Sequence, residues 1–173
     1  MEDSDRQRLF DSILKKHKRG LMAVARCYAQ EDESQELCRE ILLEIWSNLH
    51  AFESTSRLGT FVYRIALNTA STYGSCARHQ RRFPLKRSHE PICTKPSKDV
   101  ATLEGFVRSL KEADRSVFLL FLENLNCREV SEVMGLDEAD IRTKITRLKD
   151  RLKTRAAENG HGFPESLGCM AET

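Results

Sequence analysis

The chain has 173 residues, of which 40% are hydrophobic and 31% charged, with a formal net charge of +2. That supplies enough apolar sequence for one sizeable core or two small ones and excludes wholesale disorder. No apolar run approaches membrane-spanning length, so no membrane insertion is expected.

The chain starts MEDSDRQR, acidic and polar, without the apolar core of a signal peptide, which points to the cytoplasm. From Leu9 to Tyr28, Phe10, Ile13 or Leu14, Leu21, Val24 and Tyr28 recur at ragged helical spacing and predict one or two packed helices. The basic run Lys15 to Arg19 inside them reads as wet surface. A second helix is expected over about Glu33 to Leu49, with Leu37, Ile41, Ile45 and Trp46 facing inward. Glu33, Glu36, Glu40 and Glu44 recur along another side, where they repel one another. Such an acidic face is either plain solvated surface or a surface made for a basic partner. A polar loop, AFESTSRLGT, leads into a third helix carrying Phe61, Ile65, Asn68, Thr69 and Thr72 on one side and ending in Arg78, Arg81 and Arg82. Hydroxyl side chains beside an aromatic wall and a basic helix are suited to holding an unstacked base. Residues 83–99 hold three of the four prolines and no sustained helical period, as an extended linker would.

Beyond the linker, Arg128 to Lys153 reads as two helices joined by a tight turn. Val130, Val133 and Met134 share a face, Ser131 is small where a second helix must pass, and Gly135 suits a left-handed turn. Asp137 can cap the next helix, with Asp140 adding charge favourable to the helix dipole. Ile141, Ile145, Leu148 and Leu152 make that helix's inner face. Arg142, Lys144, Arg147, Lys149, Arg151, Lys153 and Arg155 make its other side basic, which suits a major groove lined by phosphates. The remaining AAENGHGFPESLGCMAET fits a flexible end.

The small net charge is unevenly spread: it concentrates in residues 77–98 and in the helix from Arg142 to Arg155, which fits contact with nucleic acid at two places. The six cysteines (27, 38, 76, 93, 127 and 169) form no CxxC pair and have no histidine at ligand spacing, so they read as reduced thiols; no metal and no cofactor is expected. Dispersed histidines and the lack of a Gly-rich phosphate loop give no catalytic constellation, so the chain does not read as an enzyme. The expected fold is all-α: two small helical domains joined by a flexible linker, the second a helix-turn-helix.

The segments ESQELCREILLEIWSNLHAF, GTFVYRIALNTA and SLKEADRSVFLLFLENLNCREVSEVMGLDEADIRTKITRLKDRLK, in that order around a proline-bearing linker, resemble the sigma subunits of bacterial RNA polymerase, specifically the small extracytoplasmic-function group of the sigma-70 family. The resemblance spans roughly residues 10–153. It implies a domain over 1–82 that docks on core polymerase and opens the −10 element, a linker over 83–100, a −35-reading helix-turn-helix domain over 101–155, and a tail over 156–173. Docking would use Glu33, Gln35, Glu36, Arg39 and Glu40. Capture of a flipped −10 base would use Ser54, Thr55, Ser56, Arg57 and Leu58, with Arg64, Asn68, Arg78, Arg81 and Arg82 nearby. Arg142, Thr143, Lys144, Arg147 and Lys149 would face the −35 element. The implied partners are core bacterial RNA polymerase, promoter DNA, and an anti-sigma protein or other regulator.

The chain departs from the family's pattern at several positions. Ser34 and Gln35 interrupt an acidic signature that is usually denser, and a phosphate on Ser34 would restore negative charge there. Phe61 stands where tryptophan is common, and Ala139 and Asp140 where glycine and threonine are frequent. The alternative reading is a stand-alone helix-turn-helix regulator, which would leave the acidic helix and the hydroxyl-rich loop unexplained.

Overall fold

A computed structural model describes residues 3–52, 57–76 and 98–158. Among these there is no strand; the chain is all-α, as its periodicity requires. The expectations for residues 53–56, for 77–97 (most of the linker and the basic cluster Arg78, Arg81 and Arg82) and for 159–173 lie outside the described residues. Two compact units divide the chain, Met1–Arg108 and Ser109–Thr173.

In the first unit, α1 (Asp3–Tyr28) is a single continuous helix. It is followed by α2 (Ser34–Asn48), a 3-10 turn (Leu49–Ala51), α3 (Leu58–Cys76) and α4 (Lys98–Arg108). The first three helices enclose one core: Ile13, Leu21, Met22 and Val24 from α1, Leu37, Cys38, Ile41 and Ile45 from α2, and Val62, Tyr63 and Ala66 from α3. The α2 spacings of four are those of a helical inner face, and all three expected aliphatic positions are buried. Trp46, also expected inward, instead closes the edge of the core: Phe10 meets its ring edge-on at 5.2 Å and the Arg6 guanidinium covers it at 4.2 Å. Arg6 also donates to the Trp46 carbonyl at 2.7 Å.

Helix α4 differs from the sequence-based boundary. The expected second domain begins at 101, whereas α4 packs on α1: Arg26 pairs with Glu104 at 3.3 Å, and Arg108 donates to the carbonyl of Ala29 at 2.7 Å. These are contacts between residues nearly eighty positions apart, which no local pattern encodes.

The second unit contains α5 (Glu112–Leu122), α6 (Cys127–Met134) and α7 (Glu138–Glu158). Val117, Phe118, Leu119 and Leu120 of α5 pack with Val130 of α6 and with Ile141, Ile145, Leu148 and Leu152 of α7. Both ends of α6 are fixed by local chemistry. Asn126 and Glu129 form a reciprocal capping box, at 2.9 Å and 2.8 Å. Gly135 ends the helix at φ 66°, a conformation costly for residues with a Cβ, and its N–H donates to the Ser131 carbonyl. The Ser131 hydroxyl donates to the Leu136 carbonyl, so the small residue expected at the helix crossing also ties down the turn. Asp137 then caps α7 by accepting from the Ala139 N–H at 2.8 Å. Helix α7 runs on to Glu158, past the expected start of the tail at 156.

Candidate nucleic-acid interface

The hydrophobic line Ile141, Ile145, Leu148 and Leu152 fixes the rotation of α7, so the opposite side is what the second unit can offer a ligand. Arg142, Thr143, Thr146 and Arg147 are exposed there. Arg142 pairs loosely with Glu138 one turn earlier, at 3.1 Å in a water-exposed setting where such pairs stabilise little. The Thr143 and Thr146 hydroxyls donate back to the carbonyls of Ala139 and Arg142, at 2.9 Å and 3.0 Å. Lys144 and Lys149, expected on the same face, are drawn towards α5 instead. Lys144 Nζ lies 3.0 Å from Asp114 Oδ1, and Lys149 Nζ sits 5.4 Å from the centre of the Phe121 ring. Both are half-buried. A flat count of basic residues did not separate them from Arg142 and Arg147, and Thr146 was missed because it carries no charge. Its spacing of three from Thr143 was the available signal.

In the first unit, Arg57, Arg64 and Asn68 are exposed and Leu58 is half-buried at the start of α3. Arg64 and Asn68 lie four residues apart on one side of that helix. Phe52 and Phe61, on either side of the hydroxyl-rich loop, meet edge-on at 5.1 Å and hold its two ends together. Phe61 thus performs a packing role. Behind the start of α3, His17 meets Tyr63 edge-on at 5.5 Å, and burial followed by the neighbouring Lys16 charge lowers its pKa, which favours the uncharged ring. Ser54, Thr55 and Ser56 lie outside the described residues.

The acidic side of α2 forms as expected: Glu36, Glu40 and Glu44 are exposed and Glu33, Gln35 and Arg39 half-buried. Partial burial, then the charges of Glu44 and Glu36, raises the Glu40 pKa. Two side chains unmarked by the sequence reading join them. Tyr73 of α3 lies beside the same carboxylates: burial, then Glu36, Glu33, Glu40 and Asp32, pushes its phenol up to about 12. Leu43 is 66% exposed between Glu40 and Glu44, off the Leu37–Ile41–Ile45 line. Its misfit to that line was the signal.

Ser34 corrects one expectation. It is only 5% exposed, and its hydroxyl donates to the Glu31 carbonyl at 2.9 Å to close the turn before α2. It does not stand on the acidic face, and a phosphate has no room there without opening the turn. Among the described residues no helix is long and apolar enough to cross a membrane and no His, Cys, Asp and Glu cluster could hold a metal ion.

Residues 13–82 match the family described as sigma-70 region 2. Over 86% of its length the chain is 21% identical to the ECF RNA polymerase sigma-E factor of Haemophilus influenzae, of which 88% is covered. Its fold is similar to that of CnrH, solved in complex with the cytosolic domain of CnrY, with a TM-score of 0.63 and 19% identity over 90% of this chain and 91% of that one.

Proposed function

We propose that the chain is a sigma-70 family member of the extracytoplasmic-function kind, with the role of a promoter-specificity subunit: it directs core bacterial RNA polymerase to particular promoters and assists their opening. The observation that carries this is the region 2 match over residues 13–82, which takes in both the acidic side of α2 and the start of α3. The polymerase does the chemistry; this chain supplies position.

In this reading the acidic side of α2 docks on a basic surface of core polymerase through Glu33, Gln35, Glu36, Arg39 and Glu40. Leu43 adds an apolar anchor whose burial occurs only in the complex. The loop from Ser54 to Leu58, with Arg64, Asn68, Arg78, Arg81 and Arg82, takes the −10 element. The clamped ends of that loop, Phe52 against Phe61, support the reading because a base-capturing loop must be held in place before the base arrives. Helix α7 takes the −35 element through Arg142, Thr143 and Arg147, while Lys144 and Lys149, engaged with α5, hold the helix in place rather than meet the DNA. The protein works in the cytoplasm, where polymerase and DNA are. The complex of CnrH with the cytosolic domain of CnrY supports a protein regulator of comparable kind for this chain.

The test is to mix the purified chain with core bacterial polymerase lacking any sigma subunit and to map transcripts on a genomic DNA library. Co-elution and discrete start sites are expected. Duplex binding without polymerase association would replace this reading with a stand-alone helix-turn-helix regulator.

A further inference from the structure

The base-reading part of α7 can be narrowed from its side-chain geometry. The four exposed residues Arg142, Thr143, Thr146 and Arg147 are not equivalent. At 3.6 residues per turn, they follow one another around the helix as Arg142, Thr146, Thr143 and Arg147, so that Thr143 lies nearly opposite the buried Ile145 and Leu148 and the two threonines stand between the two arginines. A helix lying in a groove therefore turns its threonines to the floor and its arginines to the two phosphate walls.

The threonine hydroxyls are already committed. Thr143 Oγ1 donates to the Ala139 carbonyl at 2.9 Å and Thr146 Oγ1 to the Arg142 carbonyl at 3.0 Å. Each bond holds χ1 in the rotamer that turns Oγ1 back along the helix and leaves the γ-methyl as the group free to project from it. With its proton engaged, neither hydroxyl can donate to guanine N7 or O6. The oxygens keep their lone pairs but are turned back along the helix, so what these positions project towards a base edge is a fixed methyl group, flanked by the uncharged methyl of exposed Ala139 one turn earlier. The only base that presents a methyl of its own to the major groove is thymine. The exposed Asp140 before these residues and Asp150 after them repel phosphate, which confines close approach to the stretch from Arg142 to Arg147.

We infer that Thr143 and Thr146 are specificity-determining residues that select thymine through methyl–methyl contact, while Arg142 and Arg147 grip the phosphates on either side. The inference rests on the reading of α7 as the duplex-binding helix, and the threonines set which bases are preferred within it.

The test uses the full chain. Duplexes are first selected from a random library, and each thymine of the selected site is then replaced singly by deoxyuridine, which removes only the C5 methyl. At one or two positions deoxyuridine should weaken binding about fourfold, the effect of burying one methyl-sized group. Thr146→Ser keeps the hydroxyl and deletes the methyl, and should abolish the preference for thymine over uracil at one position. Thr146→Val keeps the methyl and should retain it. A selected site indifferent to deoxyuridine throughout would overturn the inference while leaving α7 as a duplex binder. Retention of the thymine preference by Thr146→Ser and its loss in Thr146→Val would overturn the role of Thr146 in the same way. Failure to select any duplex would overturn the α7 reading itself, and the inference with it.

Discussion

Lys144 and Arg147 look interchangeable as two basic residues of one helix, yet their surroundings predict opposite phenotypes. Lys144 is bound to Asp114 at 3.0 Å with the two side chains 36% and 24% exposed. A pair this far out of water, linking α7 to α5, contributes on the order of 1 kcal/mol to the second unit. Lys144→Ala should therefore lower unfolding stability by about that amount and leave the salt dependence of duplex binding nearly unchanged. Arg147→Ala should do the reverse. Surface substitution at an exposed site shifts stability by no more than about 0.5 kcal/mol, whereas loss of one phosphate contact reduces the slope of log K against log salt by about 0.9. The measurements are urea unfolding and fluorescence anisotropy with a −35 duplex, the latter between about 50 and 200 mM salt. Asp114→Asn should match Lys144→Ala in stability. If Lys144→Ala flattens the salt slope as much as Arg147→Ala does while stability stays fixed, the lysine releases Asp114 to hold phosphate and the assignment drawn from the pairing is wrong.

On the acidic side, Glu36→Lys with Glu40→Lys should abolish co-elution with core polymerase and leave −35 duplex binding intact; joint loss of both would mean unfolding. Leu43→Ala should weaken polymerase binding by about 1–2 kcal/mol, as truncating an interface anchor does, with an unchanged melting temperature because the side chain is already in water. Ser34→Glu should lower stability by about 2 kcal/mol or more, since it forces a charge into the turn that the hydroxyl closes; a polymerase affinity that rises with no loss of stability would restore Ser34 to the docking face. Phenolate absorbance should show Tyr73, identified by difference from Tyr73→Phe, ionising near 12, and Glu36→Gln with Glu40→Gln should bring it down. The raised folded pKa fixes the sign: the stability Tyr73 contributes is whole below pH 10 and is lost as pH climbs to about 12.

How much of this was legible beforehand follows from the range over which each residue's fate is decided. The inner faces of α2 and α7 were readable because burial of Leu37, Ile41 and Ile45, or of Ile141, Ile145, Leu148 and Leu152, repeats with the helix itself. The turn between α6 and α7 was readable for the same reason, since Gly135 and Asp137 act within a few residues of their own position. Lys144 was not, because what draws it inward is an aspartate thirty positions earlier on another helix. Nor was α4, which reaches the first unit through Arg26–Glu104 and Arg108–Ala29. Ser34 was misplaced by reading it in register with Glu33 and Glu36, when its hydroxyl belongs to the preceding turn. Tyr73 was invisible for a further reason: its part in the acidic surface exists only once α3 packs on α2.

The disposition of charge bears on how such a protein would be used. A net charge of +2 gives little general attraction to DNA, and the exposed side of α7 carries acids among its bases: Glu138 beside Arg142, then Asp140 and Asp150. With Lys144 and Lys149 turned towards α5, the exposed cations in the early turns of α7 reduce to Arg142 and Arg147, so duplex binding through those turns alone should be weak and should fall off shallowly with salt. Weakness of that kind is useful in a specificity subunit. In the proposed role, occupancy of a promoter would depend on docking through α2, with Glu36, Glu40, Leu43 and Tyr73 as the surface offered to polymerase, and the second contact would gain from effective concentration rather than intrinsic affinity. A chain that bound duplex tightly by itself would occupy promoters without polymerase and block them; the acids on α7 and the two half-buried lysines oppose that outcome.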